Sequence, residues 1–417
     1  MTVSVSAPFG VKFPHFSVPV GLDDLLGEVA AEPPGGRLVV GDERVRDFLA
    51  AFSRRLLRPD LARRYPELGS LGFFLRKGEL ARAVARLGDG VAGQRRAPRG
   101  LVLHFPPANV DTIFVYSWAL SALAGNHNIV RISGRSAGAA TAVLDALNDV
   151  LADADPAIAQ TQRMVTYERD DTLTAALSAA CDLRVLWGGD ASVAALRRHP
   201  VRPLARELAF PDRSSFAAIS VAGWRTATAQ ERRAAVAGFA NDLYWFDQAA
   251  CSSPRNLCWV GDAASVPEAR AEFTGLLAEE ISLRGWTVDP AMAVEKYVAT
   301  YGLAATGAAT RISFAGNALA EVDLAGLGAL QRGWLGAGTV CHVTVGSLAE
   351  LAPAVQRKDQ TLAQFGFTRA ELDDFVTLVA GRGLDRIVPF GQALTFAGVW
   401  DGLDLLHEFT RIITIAA

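Results

Sequence analysis

Cysteine is scarce in this 417-residue chain, which has only Cys181, Cys251, Cys258 and Cys341. None forms a Cys-x-x-Cys pair or stands with histidines at zinc spacing, so no structural metal centre is expected. So few thiols in so long a chain do not make a disulfide scaffold; reduced cysteines in a cytoplasm fit better. An excess of one charge is also lacking. Lys and Arg number 41 against 44 Asp and Glu, a net charge of −3, which argues against a nucleic-acid partner. No long hydrophobic run occurs. The most apolar stretch, Val110 to Ala124, contains Asp111 and falls short of the roughly 20 residues a transmembrane segment needs. Met1-Thr2-Val3-Ser4-Val5-Ser6 has no basic region leading into an apolar core, so no signal peptide is expected. No strand–helix turn carries G-x-G-x-x-G, so any dinucleotide must be bound by another geometry.

What is present is a globular composition, 50% hydrophobic and 20% charged, in a chain long enough for two or three domains. Arg37-Leu38-Val39-Val40 reads as a short strand after the loop Pro33-Pro34-Gly35-Gly36. From Glu43 to Leu87 the period is helical: Phe48, Leu49, Phe52, Leu56 and Leu57 alternate with Arg46, Arg54, Arg55 and Arg58. Those arginines read as a solvated face, with a partner-binding face as the alternative.

Strands and helices then alternate. Strands are expected at Gly100–Phe105, Asn128–Ile132, Arg163–Tyr167 and Asp182–Trp187. Helices are expected from Asp111 to Ala124, Ala137 to Leu151, Thr172 to Ala180 and Ser192 to His199. This predicts an α/β fold with a mostly parallel, doubly wound sheet, whose ligands bind at the carboxyl ends of strands. A second unit follows, with strands at Ser215–Val221 and Asn256–Val260. Its helices run from Ala229 to Trp245, Val266 to Arg284 and Pro290 to Tyr301. Cys341–Val345 reads as a strand near a domain edge, and Thr410–Ile415 as a strand that pairs with another sheet or another subunit. The expected divisions are residues 1–215, 216–384 and 385–417.

Cys251 stands apart from the other cysteines. It follows an aromatic helix end (Tyr244, Trp245, Phe246) and sits in the loop Ala249-Ala250-Cys251-Ser252-Ser253-Pro254, where a thiol can be reached. A buried small hydrophobe is the plainer alternative. Cys258 lies inside the apolar strand Leu257-Cys258-Trp259-Val260 and reads as core, whereas Cys181 at a helix end and Cys341 at a strand start read as core or surface bystanders. Asn109 follows a strand and two prolines. Its side-chain amide and the Cys251 N–H could form an oxyanion hole, or Asn109 could simply cap the next helix. Gly188-Gly189-Asp190-Ala191-Ser192 joins a strand to a helix and could admit a dinucleotide phosphate.

Several runs in this order resemble the acyl-CoA reductase family typified by LuxC, a branch of the aldehyde dehydrogenase superfamily. They are Leu71-Gly72-Phe73-Phe74-Leu75-Arg76-Lys77, His104-Phe105-Pro106-Pro107-Ala108-Asn109, Trp187-Gly188-Gly189-Asp190, Phe246-Asp247-Gln248 through Cys251-Ser252-Ser253-Pro254, and Arg386-Ile387-Val388-Pro389-Phe390-Gly391-Gln392-Ala393. The resemblance implies a Rossmann-variant dinucleotide-binding domain, an α/β catalytic domain carrying Cys251 as nucleophile, and a small oligomerisation element. It makes Asn109 the oxyanion asparagine. It assigns Arg131, Ser133, Arg135, Gly188, Gly189 and Ser192 to the cofactor. Arg131 and Arg135 favour NADPH through its 2′-phosphate, with NADH possible.

The implied reaction reduces an acyl thioester, on CoA or a carrier protein, to an aldehyde through an S-acyl-cysteine. Glu207-Leu208-Ala209-Phe210 lacks the glycines that accompany the water-activating glutamate of hydrolytic relatives. Glu207 is therefore a doubtful base, and an ion-pair role is the alternative. No glutamate matches the nicotinamide-ribose position near Leu335-Gly336-Ala337-Gly338-Thr339. The alternatives are a hydrolytic aldehyde dehydrogenase and a cofactor-independent cysteine acyltransferase or thioesterase.

Overall fold

The computed structural model describes residues 9–15, 20–88, 93–107, 113–134 and 138–416. Two compact units result: Met1–Pro211 with Phe396–Ala417, and Asp212–Thr395. The first contains strands β1 (Gly10–Phe13), β2 (Gln94–Pro98), β3 (Leu101–Phe105), β4 (His127–Arg131), β5 (Gln162–Thr166), β6 (Leu183–Trp187) and β7 (Arg206–Phe210). Six of these form a sheet in the order β1-β5-β4-β3-β6-β7, parallel except for β1 against β5. All five residues of β6 are buried, as a parallel strand covered by helices on both faces requires. The strand order reverses between β3 and β6. That switch opens a crevice at their carboxyl ends, Phe105 and Trp187.

The helix that follows β3, Ile113–Leu123, is buried along its whole length, and its predicted cap Asp111 lies outside the described residues. Such burial leaves polar side chains beneath the sheet to satisfy one another. His104 bonds Ser117 Oγ through Nδ1 at 3.0 Å and Asn128 Oδ1 through Nε2 at 2.9 Å. Asn128 Nδ2 and Trp118 Nε1 both donate to Gln162 Oε1 at 2.8 Å. The arginine-rich region forms four helices: Glu43–Leu56, Pro59–Arg64, Pro66–Phe74 and Lys77–Gly88. Gly72 lets two of them meet, because a Cβ there would lie 2.8 Å from Leu57 Cγ. Arg37–Val40 is not a strand. It makes a turn closed by Val39 N–H donating to Asp42 Oδ2, among the described residues no strand pairs with it, and Val39 is exposed.

The second unit holds β8 (Ser214–Ser220), β9 (Pro254–Val260), β10 (Ala309–Ala315), β11 (Leu319–Leu324), β12 (Thr339–Val345), β13 (Asp359–Phe365) and β14 (Arg386–Pro389). They form a sheet in the order β10-β11-β12-β9-β8-β13-β14, antiparallel only between β10 and β11. β12, expected as a strand near a domain edge, lies inside the sheet between β11 and β9. Cys341 and Val343 bury one of its faces and Val340 and His342 the other, as packing layers on both faces of the sheet require.

The chain then returns to the first unit through β15 (Val399–Trp400), β16 (Leu403–Asp404) and β17 (Thr410–Thr414). β17 pairs antiparallel with β2, from Thr410 opposite Pro98 to Thr414 opposite Gln94. Among the described residues no helix is long and apolar enough to cross a membrane.

Candidate functional site

In the second unit a capping box, Thr228 with Glu231, starts the helix Ala229–Tyr244, which delivers the chain toward Cys251. Phe246, Asp247 and Gln248 then adopt φ of 55°, 52° and 57°. Three consecutive non-glycine residues in the left-handed region are costly, on the order of 1 kcal/mol or more each. The surrounding bonds hold them there. The buried Gln248 donates from Nε2 to Pro254 O and Thr339 O, both at 2.8 Å, and its Oε1 accepts from Thr339 N–H at 3.0 Å. Trp334 Nε1–H donates to Asp247 O at 2.9 Å.

Cys251 occupies the turn that enters β9. Ser215 Oγ–H donates to its carbonyl at 2.7 Å and accepts from Thr361 N–H at 3.2 Å. Its neighbour Ser252 donates to Gln360 Oε1 at 2.9 Å. The carbonyl of the cysteine is therefore held from β8, and its flanking residues Gln248 and Ser252 from β12 and β13.

Cys251 is half-buried, whereas the other three cysteines are buried. Burial pushes the Cys181 thiol up to about 11 and those of Cys258 and Cys341 up to about 12. Those three remain protonated and inert at neutral pH. Arg255 follows on β9 and is 6% exposed; its Nη1 donates to Arg332 O at 2.6 Å. Burial lowers its pKa, while the negative charges of Asp212 and of Cys251 as a thiolate raise it.

The first unit carries a groove of about 1140 Å³ at the carboxyl ends of its strands. Arg131, Ser133, Gly188, Gly189 and Ser192 all line it. Arg131 sits with its guanidinium carbon 5.0 Å over the Tyr167 ring, and its Nη2 donates to Tyr167 O at 3.3 Å. Its buried Nε has no hydrogen-bond partner. Gly188 and Gly189 lead into the helix Asp190–Arg197, whose N-cap Gly189 offers no side-chain acceptor to the first turn. An unused cationic donor and an uncapped helix start on one groove suit the phosphates and ribose of a dinucleotide. Asn109 and Arg135 lie outside the described residues.

Glu207 is engaged: its Oε2 accepts from Arg184 Nε at 2.9 Å and Nη2 at 2.5 Å, and its Oε1 accepts from Arg197 Nε at 2.7 Å. Of the aromatic residues that could line an apolar pocket or belong to the core, Trp118, Tyr244 and Trp400 are buried, while Trp245 and Phe246 are half-buried. Sequence reasoning quoted Gln248 without giving it a role, and it passed over Ser215, Arg255 and Asp242. Asp242 is buried and accepts from Gly391 N–H at 2.7 Å and Ala393 N–H at 3.1 Å. It anchors a turn where Gly391 has φ +84° and a Cβ would lie 2.7 Å from Gly238 Cα. Polar residues at strand starts and at an aromatic helix end were the available signal.

Residues 90–317, rather more than half of the chain, match the profile of the acyl-CoA reductase (LuxC) family. This chain belongs to that family. It is 26% identical over 166 residues to the long-chain acyl-protein thioester reductase of Aliivibrio fischeri, covering 40% of this chain and 33% of that protein. To the protein of the same description from Photorhabdus laumondii it is 25% identical over 330 residues, 76% of this chain and 64% of that protein. The chain thus spans less than two thirds of either relative.

Methylmalonate-semialdehyde dehydrogenase of Oceanimonas doudoroffii superposes with a TM-score of 0.68 at 12% identity, over 95% of this chain and 90% of that one. NAD-dependent aldehyde dehydrogenase of Sinorhizobium meliloti gives 0.65 at 13%, over 99% and 92%. The fold of this LuxC-family chain is that of the aldehyde dehydrogenases.

Proposed function

We propose that the protein reduces an acyl thioester, carried by CoA or by a carrier protein, to an aldehyde with NAD(P)H. The observation that carries this reading is Cys251: the cysteine outside the buried core, on a turn held against its own backbone strain. Family membership supports the substrate class, since the relatives above are named for acyl-protein thioesters.

In this scheme the Cys251 thiolate attacks the thioester carbonyl. A carbon–sulfur bond forms, the donor thiolate leaves with its electron pair, and the acyl group remains on Cys251. Asn109 and the Cys251 N–H stabilise the oxyanion. The groove residues Arg131, Ser133, Gly188, Gly189 and Ser192, with Arg135, hold the dinucleotide. When bound, a reduced nicotinamide supplies the hydride. The thiohemiacetal on Cys251 then collapses to aldehyde and frees the thiol. The ion-paired state of Glu207 supports reduction over hydrolysis, because a carboxylate shared by two guanidiniums is a poor base for water. The orphaned Nε of Arg131 supports NADPH, whose 2′-phosphate a guanidinium binds well.

The test combines NADPH oxidation with acyl transfer from labelled acyl-CoA and acyl-carrier protein. Wild type is expected to do both and Cys251→Ala neither. Full acyl labelling of the Ala variant sinks the assignment. Transfer without NADPH oxidation favours the acyltransferase alternative.

A further inference from the structure

At the starts of β8, β9, β12 and β13 the second unit collects four cations, and they are not equivalent. Arg213 has Asp385 at 2.5 Å, Arg332 has Asp359 at 2.8 Å, and Lys358 has Asp212 at 2.5 Å. Arg255 has no carboxylate within 4 Å among the described residues, although it is 6% exposed; the acid that acts on it from farther away, Asp212, is shared with Lys358. Its guanidinium is bonded to neutral carbonyls, Arg332 O at 2.6 Å and Arg213 O at 3.5 Å, and its buried Nε has no partner at all.

Burying a charge without a counter-ion is costly, and removing such a cost is what makes a neighbouring anion favourable. The turn supplies the candidate anion. Cys251 lies four residues before Arg255, at the mouth of the same strand. Both are tied to the start of β8: the Cys251 carbonyl to Ser215 Oγ, and the Arg255 guanidinium to Arg213 O. The two side chains therefore stem from one strand mouth held by β8, close enough for guanidinium and thiolate to act on one another.

We propose that Arg255 is the positioning residue whose charge, without a close ion pair among the described residues, stabilises the Cys251 thiolate, so that Cys251 needs no general base to be nucleophilic. The proposal rests on the reading of Cys251 as the nucleophile. It gives that reading a source of activation within the second unit itself.

Iodoacetamide alkylation of Cys251, followed by peptide mass spectrometry between pH 5 and 10, tests it in wild type, Arg255→Gln and Arg255→Lys. Thermal unfolding is recorded for each. Gln keeps amide donors for the two carbonyls but loses the charge; Lys keeps the charge. The wild-type midpoint is expected below that of an ordinary thiol, near 8.5. The Gln variant should shift up by about one pH unit and react on the order of tenfold more slowly at pH 7. The Lys variant should stay near wild type.

A Gln profile that overlays the wild-type profile overturns the role of Arg255 and leaves the nucleophile standing. If Gln does not fold, Lys decides alone, and a rise to an ordinary thiol despite the retained charge overturns it. A merely structural arginine would lower the unfolding temperature in both variants and move neither midpoint. A wild-type Cys251 that titrates as an ordinary thiol, or does not react, removes the nucleophile reading itself.

Discussion

Gln248 shows how one side chain can decide the shape of a site. Its amide donates to two carbonyls and accepts from one N–H, which joins the start of β9 to the start of β12 behind Cys251. Gln248→Ala leaves Thr339 N–H, Thr339 O and Pro254 O without these bonds in a buried place, which costs about 2–4 kcal/mol. The three left-handed residues then lose their clamp. The expected outcome is a lower urea midpoint together with slower Cys251 alkylation. A variant that loses stability but alkylates at the wild-type rate would show that the clamp holds the fold and not the nucleophile. Cys251 itself was legible in the sequence because a cysteine among small polar residues is rare inside an element. Its supports were not. The partners of Gln248, Ser215 and Arg255 lie 91, 146 and 77 positions away, and no local pattern reports a bond of that span.

Elements were legible where one physical signal dominated. β3, β4, β5 and β6 are short apolar runs between helices of clear period, and the structure starts and ends them within a residue or two of expectation. β10 and β11 went unread because their charges interrupt the apolar alternation: Arg311 on β10 pairs with Asp323 on β11, and Glu321 on β11 accepts from Thr274. The same helix-and-strand packing imposes a pH dependence on the first unit. Burial beneath the sheet lowers the His104 pKa to about 4, against the Asn128 bond that raises it. The unfolded chain takes up this proton near 6.5 and the folded one only near 4. Stability is therefore complete above pH 6.5 and falls as pH drops through that window. Between pH 7.5 and 5 the loss from this group is about 2 kcal/mol at most. His104→Gln, compared with wild type by urea unfolding at both pH values, is expected to show the smaller acid loss. Equal losses would mean that His104 takes up its proton as readily in the fold as outside it.

At the scale of the molecule the chain builds one unit, leaves it after Pro211, builds a second, and returns at Phe396. The returning strand was expected to find a sheet or another subunit, and it pairs with β2, from which it is separated by most of the sequence. This two-stranded ribbon joins no other strand among the described residues, so each strand has one edge without a ladder. Ile412, Ile413 and Ile415 on or beside it are 49%, 40% and 55% exposed. Open edges bearing large apolar side chains favour association, and here the charge and proline that blunt an edge lie mostly on β2, at Arg95, Arg96 and Pro98, with Arg411 alone on β17. The family resemblance implied an oligomerisation element within residues 385–417, and the ribbon supplies a physical reason for one. The prediction is a mass above the 44.3 kDa of one chain in light scattering. Ile412→Lys with Ile413→Glu should reduce it to the single chain without lowering the unfolding temperature of either unit, because both side chains point away from any core. A wild-type protein that runs at one chain's mass would instead assign the ribbon to intrachain closure alone, with Arg96 Nη1 bonded to Thr410 Oγ1 at 3.0 Å as one of its ties.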